Sequence, residues 1–123
     1  MRVSRPDSRP VPVPLRQVAE DSGVTNPLVD SSGALALIMA LSAAGIGPGD
    51  EAIVPGWTFA ASMSAVVFCE AVPVFAEVDE SPALDPGDVE RKITGHSRAN
   101  LAVHMIGNPC DLDAFKAAAV AHE

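Results

Sequence analysis

Apolar positions along the chain come in two spacings, continuous runs of helix formers and short β-branched stretches, and the alternation between them marks the elements. From Ala34 to Ala44 nearly every residue is apolar and a good helix former, with the capping cluster Ser31-Ser32-Gly33 before it and Gly45 after it, so a helix is predicted here. This helix has no polar face. Such helices are buried on several sides, in the centre of a large protein or against a subunit partner. Glu51 to Val54, ended by Pro55-Gly56, reads as a short buried strand, and Thr58 is placed to cap a helix running to about Glu70. Val72 to Val78 is rich in β-formers, with Pro73 near its start, and predicts a second strand. Asp85-Pro86 with Asp88 supplies an N-cap, a proline at the first helical position and an acid in the first turn, which predicts a short helix over 86–93. Asn100 to Met105 reads as a third strand, and an Ala-rich helix starts at Asp111 or Leu112 and runs to the C-terminus. Before Asp30 the pattern is weaker: Leu15 to Ser22 is a polar helix candidate closed by Gly23, and Pro27-Leu28-Val29 a possible strand edge. Strand and helix alternate, which predicts an α/β fold with parallel strands joined by crossover helices.

The head of the chain is different. Pro6, Pro10, Pro12 and Pro14 exclude both helix and sheet interior, so residues 1–14 are expected to form an extended arm ahead of a folded part spanning 15–123. Composition sharpens this. Apolar residues make up 48% of the 123 and charged residues 20%, too hydrophobic for a disordered chain. The length is that of one domain. Aromatics are only 4%, with no tyrosine, so small side chains must fill the interior. The formal charge of −8 has the wrong sign for neutralising a phosphate backbone, which excludes nucleic acid as a partner. Arg2, Arg5, Arg9 and Arg16 face only Asp7 at the start, an uneven distribution that suits a solvated arm. The first residues lack the apolar core of a signal peptide, and the longest nearly apolar run, Ala34 to Gly47, is too short to span a bilayer. A soluble cytoplasmic protein with no membrane partner is expected. Cys69 and Cys110 have neither CxxC nor Cys/His spacing, so two reduced thiols are expected and no metal site.

Candidate chemistry is sparse. Gly45, Gly47 and Gly49 invite a dinucleotide-binding reading, but that fingerprint requires strand, glycines, helix, and the order here is helix, glycines, strand. Ser32-Gly33-Ala34 is a better anion site: glycine permits close approach, and the N–H groups opening a helix point outward. A plain helix cap has the same features. His104 ends the third predicted strand, at the edge where open α/β sheets contact ligands, although a hydrogen-bonded structural histidine also fits. His96 and His122 read as surface residues, and Asp111 and Asp113 as caps of the last helix.

The run Ser31-Ser32-Gly33-Ala34-Leu35-Ala36-Leu37, followed by Gly45-Ile46-Gly47-Pro48-Gly49-Asp50-Glu51-Ala52-Ile53-Val54-Pro55, closely resembles the DegT/StrS-type sugar aminotransferases. The resemblance continues in order through Trp57-Thr58-Phe59-Ala60-Ala61, Val72-Pro73-Val74-Phe75, Asp85-Pro86 and His104 to Asp113, covering about residues 15–123. It implies part of the three-layer, parallel-sheet large domain of a fold type I transferase that uses pyridoxal 5'-phosphate. In that family a Ser-Gly-Thr-Ala segment holds the cofactor phosphate; Gly33, Ala34 and Leu35 occupy those places, with Ala34 where threonine is usual. The aromatic residue that stacks on the pyridine ring falls on Phe59, with Trp57 close by.

The resemblance further implies a lysine that forms the Schiff base and a carboxylate that keeps the pyridine nitrogen protonated, both expected beyond Glu123. Lys92 and Lys116 have no motif around them and are assigned no catalytic role. The implied substrates are a keto-sugar or keto-cyclitol and an amino-acid donor, and the implied partner is a second subunit, as a homodimer or in pairing with a full-length relative. Two other readings stay open: a non-catalytic binding module, and part of a family dehydratase in which histidine replaces the lysine. On this resemblance 123 residues are too few for the fold, and the apolar makeup reads as the interior of something larger.

Overall fold

The computed structural model describes residues 15–122, so the expected arm over 1–14 lies outside the described residues. The chain divides into two compact units, up to Asp30 and from Ser31 onward. In the first, α1 (Leu15–Ser22) carries an Arg16–Glu20 ion pair at 3.1 Å and ends as Gly23 turns left-handed at φ 71° and donates to the Ala19 carbonyl. The strand edge expected at Pro27-Leu28-Val29 does not form. Pro27 has no N–H to offer, and Leu28 is 81% exposed.

The second unit is built on α2 (Gly33–Ala43), β1 (Glu51–Pro55), α3 (Ala61–Phe68), β2 (Val72–Ala76), α4 (Pro86–Lys92), β3 (Ser97–Asn100), a 3-10 turn (Met105–Gly107) and α5 (Leu112–Ala121). The three strands are parallel in the order β2-β1-β3. Because β1 is central and covered on both faces, its apolar residues do not alternate with polar ones: Ala52, Ile53 and Val54 are all buried. Ala52 and Val54 pack with Leu41, Ala65 and Val66, placing α2 and α3 on one face. Ile53 packs with Ala76, Leu84, Val89 and the partly buried Phe115, placing α4 and α5 on the other. The result is the parallel α/β fold that the pattern predicts, in the three-layer form that the resemblance implies.

Two elements depart from expectation. Helix α3 starts at Ala61, not at Thr58, and its N-cap, Ala60, makes no side-chain bond. The Gly56 N–H still donates to the Ala76 carbonyl, so the chain leaves the sheet too late for Thr58 to cap; its hydroxyl lies 3.1 Å from that of Ser62 instead. The third strand is Ser97–Asn100, three residues earlier than the apolar run 100–105 suggests. Its start is set by Glu51, whose N–H donates to the His96 carbonyl and whose carboxylate accepts from Thr94 and Ser97 hydroxyls. The Leu101 N–H reaches the Ile53 carbonyl, and the ladder stops there because Pro55 has no N–H to continue it.

Candidate functional site

Helix α2 is eleven residues long and β1 five, each spanning about 16 Å at ordinary rises. The turn through Gly45 and Gly49, both left-handed at φ 80° and 91°, reverses the chain between them, and Leu37, Ile38 and Leu41 pack with the cluster that holds Ala52 and Val54. The start of α2 therefore sits at the carboxyl end of β1, where Gly56 to Phe59 leaves the sheet. This is the edge at which parallel sheets bind ligands. The glycines of the turn lie at the opposite, amino edge, where the Gly47 N–H is already taken by the Asp50 carboxylate at 3.0 Å.

The opening of α2 is arranged as follows. Ser32 is in extended conformation and its Oγ accepts from the Leu35 N–H at 3.2 Å, a direct N-cap. The Ser32 carbonyl accepts from Ala36. Among the described residues, nothing accepts from the N–H groups of Gly33 and Ala34. A Cβ at Gly33 would meet no atom within 4 Å, so the approach to these donors is open. Of the three residues expected to hold an anion, Gly33 and Ala34 thus have free donors, and Leu35 has its donor engaged. Phe59 is 79% exposed and Trp57 49%, an unusual amount of bare aromatic surface. Ser32 was legible only as a capping residue; its competition for the Leu35 N–H shows in the fold alone.

The remaining candidates fall into structural roles. His104 Nδ1 accepts from the Cys110 N–H at 3.0 Å, closing the loop that contains the 3-10 turn. Cys110 is buried with its thiol on the Val103 carbonyl, and Cys69 lies 3.5 Å from the Ser42 hydroxyl; neither cysteine is in a disulfide. Asp111 caps α5 through the Ala114 N–H, and Asp113 is exposed beside Lys116. Lys92 donates to the Phe75 carbonyl and to Asp88, so its ammonium ties α4 to β2. Asp88 accepts from the Glu77 N–H at 2.7 Å and from Arg91 and Lys92. That backbone bond first, then the Lys92 ammonium, hold its carboxyl down at about 2, from an ordinary 3.8. Among the described residues no group of three His, Cys, Asp or Glu could hold a metal ion, and no helix is long and apolar enough to cross a membrane.

Residues 16–123 match the sequence model of the DegT/DnrJ/EryC1/StrS aminotransferase family. The chain is 50% identical over 93 residues to dTDP-3-amino-3,4,6-trideoxy-alpha-D-glucose transaminase of Streptomyces venezuelae, covering 75% of this chain and 24% of that protein. It is 43% identical over 108 residues to L-glutamine:2-deoxy-scyllo-inosose aminotransferase of Streptomyces lividus, covering 87% and 26%. The crystal structure of ntda from Bacillus subtilis with bound cofactor pmp superimposes with a TM-score of 0.85 at 28% identity, over 88% of this chain and 25% of that one. The chain spans about a quarter of the length of these relatives, at their N-terminal part.

Proposed function

Because the chain belongs to the DegT/DnrJ/EryC1/StrS aminotransferase family, we propose that it is the N-terminal portion of a pyridoxal-phosphate-dependent aminotransferase acting on a keto-sugar or keto-cyclitol. Two observations support this: the N–H groups of Gly33 and Ala34 have no acceptor among the described residues with open space over Gly33, and Phe59 and Trp57 on the segment leaving β1 are exposed. These groups fit the cofactor: donors at a helix start suit a phosphate, and an exposed aromatic face suits a planar ring. Gly33 and Ala34 would hold the phosphate directly. Leu35 would join them only by exchanging its bond to Ser32, and Phe59 would cover the ring. When bound, pyridoxal phosphate supplies the electron sink for amino-group transfer. The donor would be an amino acid, as the name of the Streptomyces lividus relative says of that protein.

The chain's own residues position and do not react. Lys92 is committed to Phe75 and Asp88, and Lys116 is a solvated side chain on α5. Neither is assigned the Schiff-base role. The 123-residue chain is therefore expected to give no half-reaction with pyridoxal phosphate and L-glutamate; a keto acid formed in amounts stoichiometric with the protein would overturn this. A second reading, a module that pairs with a full-length relative, draws on the exposed apolar side chains of α2 and α3, among them Met39, Val67 and Phe68. Size-exclusion chromatography of the chain with such a relative distinguishes it: this reading requires co-elution.

A further inference from the structure

The loop that carries the chain from β3 to α5 is strained at one residue. Ile106 adopts φ 55° and ψ 26°, the left-handed region that β-branched side chains avoid. Its side chain offers little packing in return, because the residue is 86% exposed. The turn around it closes through the backbone: the Gly107 N–H donates to the His104 carbonyl at 3.1 Å and the Asn108 N–H to the Met105 carbonyl at 2.9 Å. A strained conformation persists only where the surroundings over-determine it.

Two side chains supply that constraint. His104 Nδ1 accepts from the Cys110 N–H at 3.0 Å, which ties the two ends of the loop together. Asn108 Nδ2 donates to the Ser81 carbonyl at 2.7 Å, which ties its middle to the loop that follows β2. That second loop is a firm anchor: Asp79 accepts from the Ser81 N–H at 2.7 Å and donates its own N–H to the Ala83 carbonyl, and Val78 pairs with Leu84. The Asn108 contact is open to water, so its net gain is that of one exposed hydrogen bond, comparable in size with the strain it opposes. Cys110, at the far end of the loop, is only 6% exposed, with its thiol on the Val103 carbonyl.

We propose that residues 104–110 form a two-position strap, closed in this structure, with His104 and Asn108 as its latches and the strain at Ile106 favouring release. Opening returns Ile106 to an ordinary backbone region, frees the Ser81 carbonyl and the His104 imidazole, and uncovers the Cys110 N–H. The strap and its anchor follow the carboxyl ends of β3 and β2, the edge at which parallel sheets meet their ligands. Opening therefore changes which hydrogen-bonding groups that edge presents. The proposal rests on backbone strain and two side-chain bonds, and it stands or falls independently of the cofactor reading.

Amide hydrogen exchange of the 123-residue chain, followed by NMR, tests it. Protection of the Cys110 N–H reports the strap, and protection of the Leu101 N–H, bonded to Ile53, reports the sheet. In the parent chain Cys110 is expected to be at least about tenfold less protected than Leu101. Ile106→Asn accepts the left-handed region at low cost and should raise Cys110 protection about fivefold. Ile106→Val keeps the branch and the strain, and should change nothing. Asn108→Ala removes one latch and should lower Cys110 protection about fivefold. Leu101 should be unaffected throughout. Cys110 protection that does not rise in Ile106→Asn, or that rises equally in Ile106→Val, overturns the proposal. So does an Asn108→Ala chain in which Cys110 is unaffected or loses no more protection than Leu101. Should a variant fail to fold, the parent still decides: equal protection of Cys110 and Leu101 means that the loop opens only together with the sheet, and there is no strap.

Discussion

Replacing Ala34 by threonine puts a hydroxyl at the second helical position of α2, next to the two N–H groups that have no acceptor among the described residues. If an anionic phosphate sits there, the hydroxyl adds one hydrogen bond to a charged acceptor, a contact worth about 1.5–3 kcal/mol. Gly33 is exposed and Ala34 only half-buried, so solvent screens the contact and the lower end applies. That corresponds to roughly tenfold in affinity. The helix loses about 0.5 kcal/mol of propensity, which lowers stability but not the intrinsic affinity. Isothermal titration with pyridoxamine 5'-phosphate, which cannot form a Schiff base with Lys92 or Lys116, isolates the effect, and pyridoxamine without phosphate is the control. Tightening confined to the phosphate ester is expected. Equal tightening of both ligands, or none of either, refutes the placement of the phosphate at Gly33 and Ala34.

Ile53 is 1% exposed at the centre of the middle strand, and Ile53→Ala should cost about 2–5 kcal/mol in urea unfolding followed by circular dichroism. A loss under about 1 kcal/mol would show that the face carrying α4 and α5 is not packed as described. Asp88 carries a folded-state pKa of about 2 against an ordinary 3.8, so its stabilising contribution is intact above about pH 4 and fades as pH falls through about 2. Asp88→Asn should be less stable than the parent at neutral pH and should flatten the decline in the urea midpoint between those values; an unchanged slope would exclude Asp88 as its source.

Capped and punctuated elements were legible in sequence because their signals are local. Gly23 and Gly45 stop α1 and α2 where the sequence places them, and Asp85 and Asp111 cap α4 and α5 through neighbouring N–H groups. Strand bounds were not legible to the same degree. A polar Ser97-Arg98 pair joins the sheet, and the apolar Leu101 to Val103 does not, because pairing depends on what the neighbouring strand offers. Glu51 anchors one end of β3 and the missing N–H of Pro55 closes the other, both distant in sequence. Thr58 failed as a cap for the same reason, since Gly56 remains tied to Ala76.

The anion site divides along the same line. Sequence alone determined that a helix opens at Ser32-Gly33-Ala34 with donors exposed, because a helix start leaves its first N–H groups unpaired whatever surrounds it. Only the tertiary structure decided that Ser32 claims the donor of Leu35 and leaves open space over Gly33. The all-apolar pattern of α2 asks for burial on several sides, whereas in this structure Leu41 alone of the helix is buried and Leu35 and Met39 are exposed. Which face of the sheet each helix covers followed from the tertiary packing, which depends on contacts that no local spacing encodes.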